Sequence, residues 1–466
     1  MPTPNSVLVC YTQYCFQVRW RVRPFTHTQF MSSLIFRHYR LAALQQYLSS
    51  GSSVDRNMNW LYLEILFGGL VSAALSFNAT FVIRLGATKE TVALLTALPA
   101  LITALSSIPL SRFMHNRRHY KNWLLGVLLA FRLGYLVVAF IPLLLPNDTL
   151  SAASFIVGWI ILLTLPLTMF DIEWRSLMGE LIPESRRSFF FSRRSIIFSL
   201  TMAVATAAIG WLLNQTQGQF PANYQAMYLF AIAAGLVSHY LLTRLSLPDR
   251  PPKSERLAGR SPAAWSCVTL TQPMKRLMLN GGIYTFGIQF YIGVSSVHWV
   301  NNLHAPDDWI GLNIAAGSVG GIIGFLVWER LLRKHDYGWV QRRATLLTWI
   351  YPAALAYAPS IPLIVVANFA VNLMHPGVEL ANANLLLRLP RSEDRSAYIG
   401  IYTMIVSLAS LTAPLLGVWA ANTFSFGIPG AIFLSAILRV VGGVLFNVNR
   451  IDETPGDSYP LAAEAG

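Results

Sequence analysis

Four charged residues, Asp171, Glu173, Arg175 and Glu180, lie in the stretch "TMFDIEWRSLMGELIP", at the end of an apolar run that begins near Ser154. An ionised side chain in hydrocarbon costs at least about 2.5–3.5 kcal/mol, so charges that persist in such a run face a cavity or a partner. Asp171 and Arg175 stand four apart and share a helix face, where a neutralising pair can form. Glu173 projects to the other side, with Glu180 further along its stripe. Two readings stay open: Asp171, Glu173 and Arg175 bind substrate or a proton in a cavity, or they join Arg186 and Arg187 in a charged network near the helix end. A second apolar run, "NLMHPGVELANANLLL", carries His375 and Glu379, again four apart. A histidine beside a carboxylate can titrate near neutral pH and suits a proton relay. The alternative is a satisfied helix contact, with Asn382 and Asn384 as interhelical glue. Pro376, between the two, is expected to break the helix ladder and open a hinge. Arg132 is a candidate counter-ion for Asp171 or Glu173. Glu64 reaches either a cavity mouth or, by snorkelling, the interface. His298 and Gln289 are lesser cavity candidates, and Arg439 has no evident partner in the sequence. The chain offers no phosphate-cradling loop, no metal cluster and no nucleophile with its base, so no enzyme activity, ATP-driven transport, cofactor or metal is expected.

The elements that position these residues are long apolar helices. Of 466 residues, 54% are hydrophobic and 12% charged, against about a quarter charged in an average soluble chain. Windows of about twenty apolar residues, each long enough to cross roughly 30 Å of hydrocarbon, recur almost throughout Trp60 to Asn447. Spans are expected at 60–85, 89–112, 122–145, 153–180, 192–214 and 225–247, then at 277–302, 308–332, 343–358, 361–388, 397–421 and 426–447. The formal net charge of +14 sits in short connections between apolar runs. It is not a contiguous patch on a soluble face, so nucleic acid is not an expected partner. Lys and Arg follow spans two, four, eight and ten and are missing after spans three, five, nine and eleven. By the positive-inside rule both termini face the cytoplasm. The three cysteines, Cys10, Cys15 and Cys267, form no even framework, and no disulfide is assigned.

The domain reading is an extension over 1–57, disordered or a mis-called start, then a six-helix bundle over 58–247. A Pro-, Ser- and charge-rich cytoplasmic linker follows over 248–275, then a second bundle over 276–450 and a cytoplasmic tail over 451–466. The halves repeat: "LGATKETVALL" before span two matches "LHAPDDWIGLN" before span eight, placing Arg112 opposite Arg330. "PESRRSFFF" after span four matches "PRSEDRSAYI" after span ten, placing Arg187 opposite Arg395. Such spaced similarity marks a duplicated helical bundle.

With twelve spans, a basic central linker and matched loops after spans two, four, eight and ten, the chain resembles the major facilitator superfamily of secondary transporters over about Trp60 to Arg450. The family's signature after span two is only echoed by "SRFMHNRRHYK", where Ser111 replaces a Gly and His115 stands near the usual Asp. "GFLVWERLLRK" keeps the acid and base in Glu329 and Arg330. The resemblance implies an all-α fold of two pseudo-symmetric six-helix bundles, gating loops at Arg112, Glu329, Arg330, Arg187 and Arg395, and alternating access to a midplane site. The expected function is gradient-driven transport of a small solute, with protons as the candidate coupling ion. Membrane lipids are the surroundings, the expected location is a bacterial-type inner membrane, and a monomer is expected. The alternative is a membrane assembly factor or sensor that transports nothing.

Overall fold

Apolar residues that leave no polar alternative for their backbone in lipid must close their hydrogen bonds within a helix, and the described residues are mostly helical. A computed structural model describes residues 52–115, 120–146, 148–246, 271–389 and 395–451. The bulk of the 1–57 extension, most of the 248–275 linker, nearly all of the tail and all three cysteines lie outside the described residues. So do the side chains of Arg112, Glu173, Arg175, Glu180, Arg187 and Arg395.

Span one is Ser53–Leu75, continued after a one-turn break by Asn78–Arg84. Its start corrects the 1–57 boundary. Ser52 and Asp55 form a capping box, which supplies the orphan amides of the first turn. Asn57 is buried and exchanges two hydrogen bonds with the Ser246 backbone, both of 3.0 Å. Residues 52–57 therefore belong to the bundle. Span two is Lys89–His115 and span three Tyr120–Leu144. Span four is built from Thr149–Leu162 and Thr164–Leu181.

Span five runs over Glu184–Gln215, eight residues ahead of its expected start, with Pro183 at the N-cap position. Arg186, Arg187, Arg193 and Arg194 thus sit on the first turns of a helix and not in a loop, which corrects the placement of Arg187 among loop residues. Span six is Ala222–Thr243, span eight Asp307–Leu332, span ten Ile361–Arg388, span eleven Arg395–Thr423 and span twelve Gly427–Val448. Among the described residues ten helices are long and apolar enough to cross a membrane. The two expected spans beyond these are interrupted. Span seven consists of Gln272–Phe290, Ile292–Val297 and a π-helical turn, His298–Asn302; span nine of Tyr337–Thr345 and Ile350–Tyr357.

Span ten is continuous through Pro376. The proline ring packs at span eight, where a Cβ on Gly324 would lie 3.0 Å from its Cγ, so the missing amide costs a hydrogen bond without breaking the helix. The expected hinge is absent.

Helix pairing is the same in both halves. Span one packs on five and six as seven packs on eleven and twelve; three on four and six as nine on ten and twelve; two on four as eight on ten. Across the halves, span five meets eight and span eleven meets two, which are the two copies of one pseudo-twofold contact. Small residues allow the closest crossing: a Cβ on Gly210 would lie 2.5 Å from the Asp307 carbonyl oxygen, and one on Gly311 would run into the Thr206 carbonyl oxygen.

Candidate functional site

On span ten, Asn368, Asn372, His375 and Glu379 are spaced by four, three and four residues and form one stripe. They line a cavity of about 400 Å³ together with Asn313, Gly317, Ser318 and Gly321 of span eight and Ser199 of span five. Ile314, Phe325 and Pro376 supply its apolar wall. Between Asn313 and Phe325 the cavity follows span eight for about 18 Å, taking 1.5 Å of rise per residue. Gly321 has no neighbour within 4 Å of an added Cβ and leaves this space open. Gly317, Gly320 and Gly324 instead face span ten, where Cβ atoms would lie 3.1 Å from Asn368 Nδ2, 2.5 Å from Phe369 O and 2.6 Å from Leu373 O. Close packing of the span-eight glycines thus holds for Gly317 and Gly324, with Gly320 added, and not for Gly321.

An amide ladder fixes the stripe. Asn368 Nδ2 donates to Asn313 O at 2.7 Å, and Asn372 Nδ2 donates to both Asn368 O and Asn368 Oδ1 at 2.9 Å. Asn313 Nδ2 donates to the Tyr351 hydroxyl at 3.3 Å. His375 and Glu379 are both exposed to this space, so the structure brings the two together in one cavity. Asp171 is exposed on span four and does not line it. Asn384, read as interhelical glue, bonds its own helix at Leu380 O, 2.7 Å away.

The other candidates lie in packed contacts. Glu64 is 5% exposed. It accepts from Arg194 Nη2 at 3.1 Å and from Ser238 Oγ at 2.8 Å, and Ser238 Oγ in turn accepts from Arg132 Nη2 at 2.7 Å. Arg132 also donates to the Gly235 carbonyl, and the Arg194 guanidinium lies 5.2 Å over the Trp174 ring. Spans one, three, four, five and six are thus tied by one charge network, and Glu64 neither snorkels nor reaches the cavity. In the second half Arg439 donates to Thr348 O at 2.9 Å and lies 4.9 Å over the Tyr291 ring, joining spans twelve, nine and seven. His298 Nε2 meets Leu355 O at 3.0 Å, and Gln289 Nε2 donates to Ser410 Oγ at 3.1 Å; both are interhelical contacts. Glu329 pairs with Arg333 at 2.9 Å on the exposed surface, not with Arg330, and such a pair contributes at most about 1 kcal/mol.

Sequence reasoning missed the polar contacts that join the halves where span eight begins. Arg84, at the end of span one, donates to Asp307 Oδ1 through Nε at 3.1 Å and Nη2 at 2.8 Å. Asp307 is 3% exposed. Asn214 donates to Asp308 Oδ2 at 3.2 Å and Asn422 to Glu90 Oε1 at 2.8 Å, so three polar links join the halves at this end. Loop acids were visible at 307 and 308. Their partners, 223 residues away for Arg84, were not.

A family model described as Major Facilitator Superfamily matches residues 60–334 and 277–465. Solved structures of similar fold include the nucleoside transporter NupG, with 11% identity over 84% of this chain and 99% of that one, TM-score 0.64. A bacterial homologue of the iron transporter ferroportin in an inward-facing state has 15% identity over 84% and 98%, TM-score 0.63. The xylose transporter XylE from E. coli, in an inward open conformation, has 14% identity over 86% and 97%, TM-score 0.63. No curated protein matches the chain by sequence.

Proposed function

The chain belongs to the Major Facilitator Superfamily, and on that premise we propose that it is a secondary transporter of a small solute that works by alternating access, with protons as the coupling ion. The observation that carries the reading is the cavity itself: a polar stripe with His375 and Glu379 lies between spans of the two halves, while three polar links join the halves at the Arg84–Asp307 end. The positive-inside distribution puts that end outside. The state is then inward-facing, with both termini cytoplasmic in an inner (plasma) membrane, and the transporter acts as a monomer. The domains proposed are the two six-helix bundles, joined by the 248–275 linker. A rocking motion needs a lock that can break, and the Arg84–Asp307 pair is such a lock, because it joins side chains of different halves, with one further bond from Arg84 Nη2 to Ala305 O at 3.4 Å.

The test is access to Asn372 in a chain whose native cysteines are replaced. Asn372→Cys should react with a membrane-impermeant thiol reagent from the cytoplasmic side only. Adding Asp307→Asn should open a measurable rate from outside. A static assembly factor or sensor would give the same one-sided labelling in both, and that result rejects transport by alternating access.

A further inference from the structure

The cavity's hydrogen-bonding inventory is one-sided. Asn372 spends both amide N–H donors on Asn368 O and Asn368 Oδ1, and Asn368 spends one of its two on Asn313 O. Backbone oxygens can only accept, so the orientation of both amides is fixed. Asn313 spends its Nδ2 on Tyr351, and Ser318 Oγ donates to Ile314 O at 3.1 Å. What these residues leave over is mainly oxygen, beside one amide N–H each on Asn368 and Asn313. Asn313 lines the cavity and is 9% exposed, and its Oδ1 has no hydrogen-bond partner. A buried unpaired acceptor costs about 1–3 kcal/mol unless a donor arrives. Glu379 adds a carboxylate, which accepts only when ionised. The His375 ring and the Ser199 hydroxyl can turn either way. Among the described lining residues there is no Lys or Arg. Arg439 is held away against Thr348 O and Tyr291.

We propose that this cavity binds a small organic cation bearing N–H donors, an ammonium or guanidinium compound, with Glu379 as counter-ion and the Asn313 Oδ1 as an orienting acceptor. The assignment names the substrate class of the site proposed above and so rests on the transporter reading. An anion would meet a carboxylate and lone pairs with no compensating cation. A neutral alcohol would satisfy one acceptor and leave the charge of Glu379 unused. Ile314, Phe325 and Pro376 give the non-polar part of the ligand a wall.

Three probes with one ring and different heads separate these cases: benzylamine, benzyl alcohol and benzoate, titrated calorimetrically into the purified full-length protein. Benzylamine should bind at least tenfold tighter than either other probe. Glu379→Gln should bring it within about threefold of the alcohol, with the melting temperature of the unliganded protein unchanged, since this side chain is exposed to the cavity. Asn313→Asp, near-isosteric, should tighten benzylamine and leave the alcohol as it was. Equal or tighter binding of benzyl alcohol or benzoate overturns the proposal. So does benzylamine affinity indifferent to Glu379→Gln, and so does the absence of binding by all three. The transporter reading fails separately, if Asn372→Cys combined with Asp307→Asn still labels from the cytoplasmic side alone. A protein that alternates but prefers benzoate loses the substrate class and keeps the function.

Discussion

At the residue scale, the buried charges divide into those that hold helices and those that meet solvent. Glu64 is closed in by Arg194 and Ser238, with Arg132 behind Ser238. Removing one partner of such a group leaves charge uncompensated and costs about 3–5 kcal/mol, while replacing a whole pair by apolar residues is often neutral. Glu64→Leu should therefore lower the unfolding midpoint in detergent sharply, and Glu64→Leu with Arg194→Leu should recover most of the loss. A single variant as stable as wild type would show that the network carries no weight. Glu379 belongs to the other class, exposed to the cavity. Glu379→Gln imitates the protonated carboxyl. If Glu379 couples the cycle, proteoliposomes should retain exchange of substrate across the membrane and lose accumulation driven by a pH gradient. Accumulation at the wild-type level would remove Glu379 from the coupling path.

At the element scale, what decides behaviour is where helices start, break and approach each other. The cap at Ser52 and Asp55 and the Asn57–Ser246 pair lie just ahead of the apolar window, so a hydropathy reading passes over them. A truncation removing residues 2–57 should lose a cap worth about 1 kcal/mol and buried hydrogen bonds worth about 1 kcal/mol each. One removing residues 2–51 should not, and equal melting temperatures for the two would contradict the role given to residues 52–57. Spans one to twelve were legible because twenty apolar residues in lipid admit few conformations but helix. The breaks in spans seven and nine were not, since neither Tyr291 nor the turn at 346–349 is marked by proline or glycine. The stripe of Asn368, Asn372, His375 and Glu379 could have been read from its four-three-four spacing. The amide ladder to Asn313 could not, because it depends on how spans eight and ten pack. The Gly210–Gly311 crossing, which sequence reasoning passed over, sets how near spans five and eight come at the locked end. Gly311→Val should wedge that end apart, and Asn372→Cys in this background should label from outside as it does with Asp307→Asn. Labelling from the cytoplasmic side alone would mean that the crossing yields without moving the halves.

At the scale of the whole molecule, the repeated pairing of helices makes the two crossings, five on eight and eleven on two, equivalent under the pseudo-twofold. Both crossings carry a polar link near the same end: Asn214 to Asp308 at one and Asn422 to Glu90 at the other, with Arg84–Asp307 beside the first. A symmetric pair of contacts at one end and a polar cavity between the halves is the arrangement that rocking about the crossings would interconvert. Which end faces the cytoplasm follows from charge, since translocating Lys and Arg is disfavoured and short connections retain them inside. Thr149, at the start of span four, and Lys334, just past span eight, are exposed on opposite ends of the bundle. In intact cells, Thr149→Cys should react with an impermeant thiol reagent while Lys334→Cys should react only after the membrane is permeabilised. The reverse pattern would invert the orientation, place the Arg84–Asp307 lock on the cytoplasmic face and turn the inward-facing state proposed here into an outward-facing one, without altering the fold or the cavity.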